Sequence, residues 1–359
     1  MVCEELEAMG TGDRADDIPI WRHPGVPLVG KTMAFFAWLL SPLARMAKLR
    51  YPQDSQEMGR IRASLDALML WLHVWYCRPS IWSTRKVAYA RSDGSQGTVY
   101  VHRPVALGDK PLPLLYWIHG GGFTVGTAQG QGIGLATRLL GAAAPVVFAS
   151  VDYRLAPEHP FPAAEEDCIA GLAELLESRD LSTELGFQAG RVHIAGSSAG
   201  GNLAAATLLA MLKRGVAVRS AFLDCPFLDP SCSSKSYTTN VRFQPDVGWL
   251  RWCWAMYLRE LPSGRLDAYS SPLRQAAALQ GLKPLPPVIC VTGLADPLHD
   301  EGVKYVEMLR KCGAAVTHIE SRAMHCCWPF SDRSATERTI ECWAKLLRDG
   351  GGTTPLSRL

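Results

Sequence analysis

From Lys86 onward the chain alternates short apolar runs with stretches whose apolar residues return every three or four positions. Short continuous apolar runs bounded by turn signals read as buried strands. They fall at Pro113 to Ile118, Pro145 to Val151, Val192 to Ala195, Ala221 to Asp224, Val288 to Thr292 and Ala315 to Ile319. Ahead of them, Val87 to Tyr89 and Thr98 to Val101 look like two paired strands. Helical periodicity marks Ile133 to Leu140, Ala163 to Leu176, Asn202 to Arg214, Gly302 to Cys312 and Ala335 to Leu347. Alternation of this kind predicts an α/β fold with a mostly parallel sheet covered by helices on both faces.

Two segments stand outside that rhythm. Between Asp54 and Tyr76 the residues Met58, Ile61, Leu65, Leu68, Met69 and Leu72 recur at helical spacing, so residues 1–85 read as a helical segment with extended connections. Residues 226–273 form an insertion where a short connection would suffice, and it contains a Trp-rich helix from Val247 to Leu258. An insertion after the carboxyl end of a strand is where an open α/β sheet builds its ligand site. The core is then 86–225 with 274–349, and Gly-rich residues 350–359 read as a flexible tail.

Composition narrows the function. The 359 residues are 48% hydrophobic and 20% charged, which excludes dominant disorder. The 37 Lys and Arg are interleaved with 34 Asp and Glu, for a net charge of +3; no basic stripe appears, and no nucleic-acid partner is expected. Eleven cysteines are scattered without CxxC spacing, so no metal or other cofactor is expected. Neither asparagine, Asn202 or Asn240, lies in a glycosylation acceptor, and the acidic N-terminus does not resemble a secretory signal. These features favour an intracellular, reducing compartment. The uncharged run Thr32 to Ala44 contains Pro42 and is far short of the roughly 20 residues of a membrane span, so no transmembrane segment is expected.

The chemistry concentrates in four places. Gly196-Ser197-Ser198-Ala199-Gly200 fits G-x-S-x-G and lies between a strand and a helix, the context that exposes a nucleophile on a sharp turn. His119-Gly120-Gly121-Gly122-Phe123 follows the strand that ends at Ile118; with no Gly-Lys-[ST] and no helix directly after it, it reads as an oxyanion loop and not a phosphate cradle. The N–H groups of Gly121, Gly122 and Ala199 are the expected donors, with His119 as a brace. A serine nucleophile needs a base and an orienting carboxylate, which in this chain order follow the serine. Asp296 and His325 each lie just beyond a late strand and are the expected acid and base. Asp300 reads as a helix N-cap, while His193 and His318 lie within strands.

Taken together, HGGGF, the stretch Asp152 to Ala164, GSSAGG and Asp296 to Gly302 resemble the hormone-sensitive-lipase-like branch of the α/β-hydrolases over roughly residues 86 to 347. The resemblance implies an α/β-hydrolase fold with eight strands and a helical lid, built from the N-terminal helices and the 226–273 insertion. Two departures stand out. Ser197 precedes the nucleophile where the family often has Asp, and Cys326-Cys327-Trp328 follows the base where it usually has Gly-Phe, bulk that would narrow the site.

Phe123, Trp249, Trp252 and Met256 are the expected pocket residues, with Trp249, Trp252, Cys253 and Met256 on one helix face. An aromatic roof favours an apolar or aromatic substrate. The expected activity is a serine carboxylester hydrolase with an acyl-enzyme. The alternatives are an acyl-CoA or carrier thioesterase, a lactonase or an acyl-transfer or cyclising enzyme on the same triad. A non-catalytic ligand receptor ranks below these, because the triad is complete. Ser357-Arg358-Leu359 resembles a peroxisomal address, so an import receptor is a further expected partner and the cytoplasm the alternative location.

Overall fold

A computed structural model describes residues 62, 81–129, 132–240, 245–261, 265–282 and 284–349. Eight strands form one sheet: β1 Trp82–Ala90, β2 Gln96–Pro104, β3 Leu112–Ile118, β4 Val147–Asp152, β5 Phe187–Ser197, β6 Val218–Asp224, β7 Val288–Gly293 and β8 Val316–Ser321. Their order is β1-β2-β4-β3-β5-β6-β7-β8. The β1–β2 hairpin is antiparallel and joins β4 in antiparallel fashion; every later pairing is parallel. The longer helices are α1 Ile133–Gly141, α2 Ala163–Glu177, α3 Ala199–Lys213, α4 Val247–Tyr257, α5 His299–Lys311 and α6 Arg333–Asp349.

Strand β3 shows why the apolar runs lack alternation. All seven of its residues are buried, because each face of the sheet has its own core. Leu114, Tyr116 and Ile118 pack with α2 and α3 residues such as Leu172, Leu203 and Leu209. Leu115 and Trp117 point the other way, into a core completed by Leu139 of α1 and Trp343 of α6. There Trp343 stacks on Phe222 at 4.1 Å; fully burying side chains of this kind is worth about 1.5–3 kcal/mol each.

The structure moves several boundaries. β1 begins at Trp82, so residues 82–85 belong to the sheet and not to the N-terminal segment; only Trp82 among them is buried, which leaves no alternation to read. Helices α3 and α5 begin three residues earlier than their apolar periodicity does, because their first turns carry glycines or charges. The 226–273 insertion contains α4 and a short helix, Ser236–Thr239. The run Asp54 to Tyr76 (apart from helical Arg62), the run Thr32 to Ala44, and Ser357-Arg358-Leu359 lie outside the described residues. Among the described residues no helix is long and apolar enough to cross a membrane.

One buried acid makes stability depend on pH. Burial, then the nearby Asp267 and Glu166 charges, push Glu165 at the start of α2 up to about 8. Between its ordinary value of 4.5 and about 8, the folded state keeps a proton that the unfolded chain has lost, so stability falls as pH rises through that window. Glu165→Gln is therefore expected to raise the thermal midpoint by a few degrees at pH 9 and to leave it nearly unchanged at pH 4. A melting series across pH checks the crossover.

Candidate active site

Three loops leave the carboxyl edge of the sheet side by side. Ser197 at the end of β5 pairs in register with Asp224 of β6, and Gly293 of β7 pairs with Ser321 of β8. Ser198 alone separates β5 from α3 and adopts φ 56°, ψ −122°, a conformation costly for a residue with a side chain. The turn is tight enough to exclude side chains on both flanks. A Cβ on Gly196 would lie 2.1 Å from Gly200 O, and one on Gly200 would lie 2.1 Å from Ile118 O. Backbone bonds hold the elbow: Ser198 N–H donates to Asp224 O (2.8 Å), and Phe227 N–H donates to Ser198 O (3.0 Å).

The expected acid and base meet this serine. His325 Nε2 lies 2.8 Å from Ser198 Oγ, and His325 Nδ1 lies 2.7 Å from Asp296 Oδ2. A carboxylate only accepts, so Nδ1 carries the proton and Nε2 is left to accept from the serine hydroxyl. Asp296 is completely buried; its second oxygen accepts from Leu298 N–H (2.9 Å), and Asn240 Nδ2 donates to its carbonyl (2.9 Å). Burial alone would depress His325, but the Asp296 charge and hydrogen bond hold the ring well above the ordinary histidine value.

The rival histidines are occupied elsewhere. His193 bonds Ser220, His318 bonds Thr292, and His299 bridges Asp300 and Glu320. Asp300 does not cap its helix: it lies in the first turn of α5, and its carboxylate instead accepts from Ser236 N–H (2.8 Å) in the insertion. The physical reason is that Asp296 turns the chain first, which starts the helix one residue before Asp300.

The glycine loop lies against the elbow. A Cβ on Gly120 would come 3.1 Å from Ser198 Cβ. Gly122 has φ +58° and faces α4, where an added Cβ would meet Cys253 Sγ at 2.5 Å and Trp249 Nε1 at 3.7 Å. His119 braces the loop as expected: its Nδ1 lies 2.9 Å from Gly120 O, its ring stacks on Tyr153 at 4.1 Å, and Tyr153 Oη donates to its carbonyl. Burial depresses its pKa, which suits a neutral brace. From the N-terminal segment, Arg62 donates to Thr124 O and Ala156 O and pairs with Glu158 at 2.7 Å, clasping the loop to the turn behind it. Nothing in the sequence distinguished Arg62 from any solvated arginine on a helix.

The expected pocket residues divide. Trp249 stacks on Trp252 at 4.9 Å beside the glycine loop, and Met256 is half-buried against the same core. Phe123 is fully buried in an aromatic cluster, its ring stacked nearly parallel on that of Tyr257 at 3.9 Å, so it anchors the loop. The inward stripe of α4 is Leu250, Cys253, Trp254 and Tyr257, with Trp249, Trp252 and Met256 flanking it. Trp328 does not narrow the site; it is fully buried and donates from Nε1 to Asp224 Oδ1 (2.7 Å). Glu301, also missed, accepts from Leu228 N–H and Tyr237 Oη, tying the insertion to α5. Cys225, His325 and Cys326 have the donor types and proximity to hold a metal ion, although their sequence spacing gave no sign of it.

Comparisons with known proteins agree with this fold. The family described as alpha/beta hydrolase fold matches residues 115–329. Carboxylic ester hydrolase LipN of Mycobacterium tuberculosis is 36% identical over 218 residues, 58% of this chain and 55% of LipN; the chain thus spans about half the length of that relative. An acetyl-hydrolase of Streptomyces hygroscopicus is 30% identical over 297 residues, 77% of this chain and 93% of the relative. Among solved structures, a bacterial heroin esterase superposes with a TM-score of 0.71 at 29% identity, covering 86% of this chain and 96% of the esterase.

Proposed function

The chain belongs to the α/β-hydrolase family, in its hormone-sensitive-lipase-like branch, and we propose that it is a serine hydrolase that cleaves a carboxylic ester of an apolar or aromatic small molecule through an acyl-enzyme. The observation that carries this reading is the unbroken relay Ser198–His325–Asp296 at 2.8 and 2.7 Å beside the HGGG loop. His325 Nε2 takes the Ser198 proton as Oγ attacks the ester carbonyl, and Asp296 stabilises the imidazolium that forms. The N–H groups of Gly121, Gly122 and Ala199 receive the oxyanion. His325 then protonates the departing alcohol, and water repeats the sequence in reverse to free the acid.

The insertion supplies the lid. Trp249 of α4 lies beside Gly122 and stacks on Trp252, and this aromatic pair supports an apolar acyl or aromatic group over a charged one. LipN and the heroin esterase are named for ester cleavage, and that supports the ester reading for this chain.

A panel of p-nitrophenyl esters of graded acyl length, run beside acyl-CoA thioesters, tests the class. Esters are expected to turn over faster than thioesters, and an organophosphonate is expected to label Ser198 and stop both. Preference for thioesters would move the assignment to a thioesterase. Binding of ligands without turnover of either would make the protein a receptor.

A further inference from the structure

At the foot of the triad, soft-metal donors from distant parts of the chain converge. Cys225 directly follows β6, whereas His325 and Cys326 lie together beyond β8. The two Sγ atoms and a His325 ring nitrogen all lie within 4.8 Å of one another. The thiols are hydrogen-bonded to each other and to Asp224, and neither is in a disulfide. His325 and Cys326 are half-buried, which leaves an ion a way in, while Cys225 lies beneath them. The hydrolytic cycle uses neither thiol.

We propose that Cys225, Cys326 and His325 form an inhibitory site for a borderline-soft divalent cation such as Zn²⁺ or Cd²⁺. Two thiolates and one imidazole, with water in the fourth position, are a donor set that such ions accept in tetrahedral geometry. On binding, each thiol releases its proton to solvent and forms a sulfur–metal bond, and the ring forms one nitrogen–metal bond. With the Nδ1 proton held by Asp296, the free lone pair is on Nε2, the atom that must take the Ser198 proton. The metal and the serine thus compete for one lone pair, and the bound ion switches the enzyme off. Asp224, pinned by Trp328, accepts from the thiols in the metal-free protein and gives up those bonds when they lose their protons. The outer partner that orients the bound ring is Asp296, which holds Nδ1–H.

Binding is read without substrate, so the test stands apart from the ester reading. Cd²⁺ titrated into the metal-free full chain is expected to give stoichiometric thiolate-to-metal charge-transfer absorbance. Ser198→Ala is expected to keep that signal, and the double variant Cys225→Ser/Cys326→Ser to lose it. Where buried Cys225 does not tolerate replacement, Cys326→Gly serves alone, since its φ of 52° suits glycine. In rate assays normalised to each protein's own zinc-free rate, Zn²⁺ is expected to inhibit reversibly with EDTA. Half-inhibition is expected to need at least roughly 100-fold more Zn²⁺ once a ligand is removed. An unchanged Cd²⁺ signal in the Cys326 variants, or none in the wild type, would overturn the site.

Discussion

Replacing Ser198 by alanine is expected to reduce ester hydrolysis by about 10⁴- to 10⁶-fold while the protein stays folded. The size follows from covalent catalysis: without Oγ no acyl-enzyme forms, and what remains is the effect of the oxyanion donors on attack by water. Folding should survive because the variant keeps its Cβ, so the strained backbone at φ 56° gains no new clash. Only the hydroxyl and its 2.8 Å bond to His325 are lost. A thermal midpoint equal to or above that of the wild type is expected, since a nucleophile held under strain serves rate and not stability. Turnover within tenfold of the wild type, in a variant with an unchanged melting curve, would exclude Ser198 as the nucleophile.

Asp296→Asn is the second large effect, roughly 10⁴-fold in kcat. An amide in that place can donate to Nδ1 and favours the tautomer with its proton on Nε2, which faces the serine with a donor where an acceptor is needed. The same substitution should move the pH profile. On the proposed mechanism neutral His325 is the base, so kcat/KM is expected to rise with pH as the ring loses its proton. In the wild type the Asp296 charge holds that pKa well above 6.5, and the ascending limb should lie on the alkaline side of the usual imidazole range. Removing the charge should shift the limb downward while the plateau collapses. A lowered plateau with an unmoved limb would mean that Asp296 acts only by position. By contrast Asp300→Asn, whose carboxylate holds Ser236 N–H, should cost stability and leave the limb in place.

The strands were legible because burial on both faces writes itself as unbroken apolar runs, as in Leu112–Ile118. That Ser198, Asp296 and His325 would meet was legible for a different reason: each follows a strand, and strand ends meet at one edge whatever the length of chain between them. What escaped the sequence was set by side-chain direction. Phe123 and Trp254 are aromatic residues near a site, and nothing in their types separates a pocket wall from a buried stack. Cys225 and Cys326 are 101 positions apart and carry no spacing motif, yet the register of β6 and the turn after β8 bring their sulfurs together. Arg62 and Glu301 act through backbone acceptors and donors, partners that a sequence does not advertise.

The order in which the sheet is filled has a consequence in time. The strands that build the elbow and its glycine loop, β3, β5 and β6, are all complete by Asp224, whereas His325 comes 127 positions after Ser198, beyond the last strand. At synthesis rates of roughly 5–20 residues per second, the chain carries its nucleophile for about 6 to 25 s before the base is even translated. On the proposed mechanism, a nascent chain in that interval holds a serine with nothing to remove its proton and is expected to leave esters alone. Hydrolysis then begins only once the turn beyond β8 has brought His325 to Ser198, so the onset of activity waits for the last part of the fold.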